Sequence, residues 1–189
     1  SNSSAASDVY KRQVKRHREV AREHRKKNRI PVIAIVGYTN AGKSTLLNTL
    51  TGAEVLSEDK LFATLDPTTR GLLLSGKQEV LLTDTVGFIR KLPHHLIEAF
   101  KSTLEEARYS DMILHVVDCS NPNMDMQMHV VYETLRELKV EDKTIITVFN
   151  KIDKKTDGEY PRDLQSDYQI QISAKTGEGL DQLISTLEK

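Results

Sequence analysis

Residues 30–52 read IPVIAIVGYTNAGKSTLLNTLTG, and their order decides the fold. The run from Ile30 to Val36 is apolar, rich in β-branched residues and closed by Gly37, the pattern of a strand buried on both faces. Lys43 to Thr51 has the composition of a helix, and Gly52 suits the position just past its end, where a left-handed residue is wanted. Between them stand Gly37, Tyr38, Thr39, Asn40, Ala41, Gly42, Lys43 and Ser44, which fit G-x-x-x-x-G-K-[ST] in full and in the strand-to-helix setting that pattern requires. The glycines let backbone N–H groups wrap a phosphate, and the helix N-terminus adds its partial positive charge. Lys43 is placed to reach the β- and γ-phosphates, Ser44 to offer a hydroxyl to Mg²⁺, and Thr45 continues the phosphate site into the helix.

Outward from this stretch, strands and helices alternate. GLLLSGKQEVLLTD (71–84) reads as a hairpin turning near residues 75–77. Pro93 opens a helix carrying Leu96, Ile97, Phe100, Leu104 and Ala107 at helical spacing. MILHVVD (112–118) and TIITVFN (144–150) are buried strands, with an amphipathic helix through Met128, Val131, Leu135 and Leu138 between them. A short strand near Tyr168–Ile172 and a helix from about Gly179 to Leu187 close the chain. The expected fold is α/β: a doubly wound, mostly parallel sheet with one antiparallel edge hairpin. Residues 53–68 show no sustained period and read as a long functional loop, a candidate switch.

The 189 residues suffice for one domain plus an appendage. No apolar run approaches the ~18–20 residues of a membrane span, and no signal-peptide pattern opens the chain. The single cysteine, Cys119, fits a reducing compartment, so a cytoplasmic protein is expected, with the thiol buried at a strand end. Net charge is zero, yet residues 8–29 hold ten Lys/Arg against three Asp/Glu. This segment has no Gly or Pro and few apolar residues, so it reads as a basic helix. It is either a solvated connector or a contact for nucleic-acid phosphates. Residues 1–7 (SNSSAAS) read as a cloning scar or linker, 8–29 as the end of an upstream domain, and 30–189 as the nucleotide-binding domain.

Three further motifs follow. Asp84, Thr85, Val86 and Gly87 form Asp-x-x-Gly at the end of a hydrophobic strand: the carboxylate can hold Mg²⁺ through water, and the Gly87 N–H can sense a γ-phosphate. Asn150, Lys151, Ile152 and Asp153 follow the strand TIITVF. There a carboxylate can accept from guanine N1–H and the 2-amino group, while the Lys151 stem lies along the base. Ser173, Ala174 and Lys175 follow the last strand and can present a backbone N–H to guanine O6. Together, in this order, the motifs resemble those of GTP-binding proteins of the translation-factor-related class.

GYTNAGKSTLLNTLTGA, LFATLDPTTR, DTVGFIRKLPHHLIEAFKSTLEEA and LHVVDCS resemble the HflX family of ribosome-associated GTPases, over roughly residues 30–189. The residues alone leave Thr64, Thr68, Thr69 and Thr51 open as the switch threonine. The resemblance identifies Thr64, within Phe62, Ala63, Thr64, Leu65 and Asp66, as the one whose hydroxyl ligates Mg²⁺ and whose N–H meets the γ-phosphate. It places a hydrophobic residue, Phe88, where other GTPases carry a water-orienting glutamine. Two explanations are open: a partner supplies a catalytic group, or a K⁺ held by Asn40 supplies charge, as in related GTPases with GxxNxGKS. The resemblance thus implies a catalytic set of Lys43, Thr64, Gly87 and Asn40; Mg²⁺ on Ser44, Thr64 and Asp84; and a monomeric GTP/GDP switch. It also implies the large ribosomal subunit and its RNA as partners, in ribosome splitting, rescue or assembly.

Two other functions compete: an ATP-using P-loop enzyme, against which NKID and SAK argue, and a non-hydrolysing interaction module, motivated by Phe88. His94 and His95 read as part of a solvated switch helix, since adjacent helical residues point apart. His115 reads as a packed core histidine, Met124, Met126 and Met128 as packing, and Lys154 and Lys155 as a solvated loop.

Overall fold

Every residue from Val32 to Gly37 is buried, because this strand, β1, has a parallel neighbour on each edge and helices packed on both faces. The structure is a computed structural model, and it describes residues 2–28, 30–52, 68–75, 78–85, 105, 107–137, 139–140, 142–159 and 161–189. Two units divide the chain, one through Pro31 and one from Val32 to Lys189.

The first unit is a helix, α1, spanning Asn2–Asn28. It begins six residues before the expected start at Asp8 and takes in most of the segment read as a linker. Ser and Ala are tolerable helix residues, and nothing in SNSSAAS breaks a helix.

In the second unit, β1 (Val32–Gly37) is followed by α2 (Lys43–Thr51), β2 (Thr68–Leu73), β3 (Glu79–Asp84), β4 (Met112–Asp118) and α3 (Met124–Glu137). Then come β5 (Thr144–Asn150), a 3₁₀ turn (Ile152–Lys154), β6 (Tyr168–Gln171) and α4 (Leu180–Leu187). The sheet order is β2-β3-β1-β4-β5-β6. β2 pairs antiparallel with β3, and all other pairs are parallel. This is the α/β sheet with one antiparallel edge hairpin that the sequence predicts. β2 begins at Thr68 rather than Gly71, because Thr68, Thr69 and Arg70 find register partners in Asp84, Thr83 and Leu82.

The two-residue period of the strands sorts the core onto two faces. Ile33 and Ile35 of β1, Leu114 and Val116 of β4, and Ile146 and Val148 of β5 face α2 and α4, through Leu46, Leu47 and Leu183. Ala34, Val36, Ile113, Val117 and Phe149 face α3, through Val131, Tyr132 and Leu135. His115, Met128 and Cys119 are buried, as the sequence predicts. Gly52 ends α2 with a φ of 70°, the left-handed geometry expected there. The Lys155 side chain is largely buried and pairs with Asp157 at 3.0 Å, so it is less free than a solvated loop lysine.

Of the loop expected as a switch (53–68), Thr68 opens β2, and residues 53–67, with Phe62, Ala63, Thr64, Leu65 and Asp66, lie outside the described residues. So do Val86, Gly87, Phe88, His94 and His95, and most of the helix predicted from Pro93.

Candidate functional site

The strand order reverses at β1: from it the chain's later strands run outward on both sides, β3 on one and β4 on the other. In open α/β sheets the crevice beyond the carboxyl ends of the strands at this reversal is where ligands bind. The P-loop, residues 37–44, leaves β1 at that point.

Its backbone needs the residue types it has. A Cβ on Gly37 would lie 2.5 Å from the Val116 carbonyl oxygen of β4. Gly42 has a φ of 97°, and a Cβ there would collide with Asn150 Nδ2. Asn40 is left-handed too, at 63°, a conformation that asparagine tolerates better than most side chains. Ala41 is buried, and its N–H donates to Tyr38 O at 3.2 Å. Lys43, Ser44 and Thr45 then form the first turn of α2, whose N–H groups point back into the crevice.

Lys43 is buried, and its ammonium is held below its ordinary range by that burial, opposed by the nearby Asp84 carboxylate. A desolvated cation at a helix N-terminus is a receptor for a polyanion, whose charge offsets the cost of burying the ammonium. Ser44 Oγ donates to Asp84 Oδ2 at 2.9 Å. Asp84 ends β3 level with Ile35 of β1 in the register, so two hard oxygen donors meet beside the phosphate loop. Oxygen donors of this kind suit a small divalent cation such as Mg²⁺. The next residue, Thr85, is buried, and its hydroxyl donates to Ile35 O at 2.7 Å, fixing the chain where it leaves β3.

The second half of the crevice comes from β5 and β6. Asn150 is buried; its Nδ2 donates to Ala41 O at 3.0 Å and its Oδ1 accepts from Ala174 N at 2.9 Å. One side chain therefore joins the P-loop to the Ser173–Lys175 loop. Of the backbone N–H groups that the Ser173–Lys175 loop can offer to a base carbonyl, that of Ala174 is here donated to Asn150. Lys151, left-handed at 67°, donates from Nζ to Asn40 O at 2.8 Å and to Asp118 Oδ2 at 3.0 Å. Asp153 is exposed in the 3₁₀ turn, and its Oδ1 accepts from Ser173 Oγ at 2.8 Å. Ile152 N donates to Ile172 O at 3.2 Å, which aligns the two base-side loops.

The described site residues thus assemble in one place. Two contributions escape a reading of motifs: the bridging by Asn150, and Asp118. The signal for Asp118 was present, since a carboxylate closes the buried run of β4 just as Asp84 closes that of β3.

A glycine-containing phosphate loop at the reversal of a doubly wound sheet, with paired base-side loops beside it, defines a P-loop nucleotide-binding domain. The sequence model of the family described as 50S ribosome-binding GTPase matches residues 32–151, and the chain belongs to that family. A relative called GTPase HflX, from Lacrimispora saccharolytica, is 75% identical over 175 residues, which is 93% of this chain and 41% of the relative. The chain therefore spans well under half of that relative's length. Among solved structures, a GTP-binding protein from Sulfolobus solfataricus in complex with GDP matches with a TM-score of 0.68 and 30% identity. That match covers 96% of this chain and 59% of the other. Era in complex with MgGDPNP and nucleotides 1506–1542 of 16S ribosomal RNA matches with a TM-score of 0.67 and 26% identity, over 84% of this chain and 55% of the other.

Proposed function

We propose that this chain is a GTP-hydrolysing switch that acts on the large ribosomal subunit, in ribosome splitting, rescue or assembly. The observation that carries the reading is the meeting of a phosphate loop and two base-side loops on one crevice, tied together by Asn150. The family's description supports the large-subunit half of the proposal, and the 16S RNA complex of Era supports contact with ribosomal RNA more generally.

In this reading Lys43 places its charge on the β- and γ-phosphates, and the P-loop N–H groups wrap them. Ser44 and Asp84 hold Mg²⁺ together with Thr64, and the chemistry Mg²⁺ supplies when bound is neutralisation of phosphate charge. Asp153, oriented by Ser173, accepts from guanine N1–H and the 2-amino group. Thr64 and Gly87 contact the γ-phosphate through their N–H groups, so GTP orders both switches and hydrolysis releases them. Phe88 brings no water-orienting amide. Asn40 holds K⁺ in its place, or the ribosome supplies a catalytic group. The basic segment 8–29 adds contacts to RNA phosphates, with the salt dependence that implies.

The test is GTP turnover in KCl and in NaCl at equal ionic strength, each with and without large ribosomal subunits. Faster turnover in KCl supports the Asn40 role, and equal rates remove it. Acceleration by subunits supports the ribosomal role. A negligible rate under all four conditions overturns hydrolysis and favours a nucleotide-dependent interaction module.

A further inference from the structure

Asp118 belongs to no nucleotide-binding motif of the sequence, yet its side chain enters the crevice. Resting on the guanine-nucleotide reading above, we propose that Asp118 is a positioning residue for nucleotide recognition, acting through Lys151 to lock the base-side loop to the P-loop.

The β4–β5 register sets Asp118 beside Asn150, one residue before Lys151. The carboxylate divides its two oxygens. Oδ1 accepts from Ser120 N at 2.9 Å and Ser120 Oγ at 2.6 Å, which fixes the side chain in a tight turn. Oδ2 is thereby aimed at Lys151 Nζ, 3.0 Å away, in a pair whose side chains keep only 13% and 25% of their exposure. A charge-assisted contact this sheltered is stronger than a surface ion pair.

Lys151 has a second acceptor, the Asn40 carbonyl at 2.8 Å. Both residues are left-handed, at 67° and 63°, a geometry that for residues other than glycine persists only when surrounding contacts impose it. The Asp118–Lys151–Asn40 chain is such a set of contacts. A free lysine samples many rotamers; two acceptors hold this one across the gap between the loops. Its stem is then presented to the base in one orientation, while its head keeps Asn40 in the conformation the P-loop needs. Base and phosphate recognition share one side chain, and Asp118 fixes where that side chain goes.

The test is the release rate of a fluorescent GDP analogue from the unaltered chain, Asp118→Asn, Lys151→Met and the double variant. Asparagine keeps an oxygen for the Ser120 turn and removes the charge. Asp118→Asn is expected to speed release about tenfold, and the double variant to release no faster than Lys151→Met alone, as expected of residues acting in series. Asp118→Glu, which keeps the charge, is expected to fall between the unaltered chain and Asp118→Asn. Unchanged release in Asp118→Asn, additive effects in the double variant, or a Glu variant worse than the Asn variant each overturns the proposal while leaving the guanine-nucleotide reading intact. Failure of the unaltered chain to bind the analogue overturns both.

Discussion

Asn150 Nδ2 donates to the Ala41 carbonyl across 3.0 Å, so the last residue of β5 holds the middle of the P-loop in place. The same amide accepts from Ala174 N through its oxygen. Gly42 lies against this side chain so closely that no Cβ fits between them.

Asn150→Ala removes both bonds and leaves the Ala41 carbonyl and the Ala174 N–H without that partner. Each buried hydrogen bond contributes about 1 kcal/mol net, and more when a partner is stranded. The expected outcome is a melting temperature lower by roughly 5–10 °C and guanine-nucleotide affinity weaker by about tenfold or more. Differential scanning fluorimetry and nucleotide titration measure the two effects.

Asp153→Asn exchanges an acceptor for a donor at the edge of the base site, while Asn can still accept from Ser173 Oγ. GTP is expected to bind about 100-fold more weakly, and xanthosine triphosphate, which carries a carbonyl where guanine has its 2-amino group, to bind better than GTP. Competition between the two nucleotides reads this directly; undiminished GTP affinity would remove Asp153 from base recognition.

Tyr132→Phe acts on stability without acting on the nucleotide. The Tyr132 hydroxyl donates to Asp163 Oδ2, which also accepts from Thr147 Oγ1 at 2.6 Å, and Gln165 N donates to Asp163 Oδ1 at 2.9 Å. This buried carboxylate ties the segment before β6 to β5 and α3. Removing one donor costs about 1–2 kcal/mol, or roughly 3–6 °C. Nucleotide affinity is expected to stay within about twofold, because the remaining donors keep Asp163 in place.

His115 makes the core sensitive to acid. It is buried edge-on to Tyr132, with ring centroids 5.2 Å apart, and burial lowers its pKa to about 4, with the Asp163 carboxylate opposing. Below the ordinary value of about 6.5 the unfolded chain binds a proton that the folded chain refuses, so unfolding is favoured as pH falls. His115 thus contributes full stability above about pH 6.5, and this contribution declines between there and about pH 4, by about 3 kcal/mol in all. Melting curves across that window are expected to fall more steeply for the natural chain than for His115→Gln.

Much of the site was legible because its chemistry is local. Gly37 to Ser44 form a loop whose hydrogen-bonding geometry depends on adjacent residues, and the buried runs of β1, β4 and β5 are continuous enough to read as two-faced strands. Asp84 was legible as the end of such a run. The start of β2 was not, because Thr68–Arg70 become a strand only through pairing with Leu82–Asp84. The helical reach of residues 2–7 is not legible because SNSSAAS reads as a scar or linker, a polar segment with no apolar period to mark it as helix.

The sequence alone determined the phosphate loop, the alternation of strands and helices, and the residue types of the base-side loops, since each follows from short-range chemistry. Only the tertiary structure decided that Asn150 bridges Ala41 and Ala174, and that Asp118 reaches Lys151 and, through it, Asn40. Those contacts join residues from 24 to 111 positions apart. Parallel pairing at the carboxyl ends of the strands brings them together, and no local pattern in the chain records which partner such an end will meet.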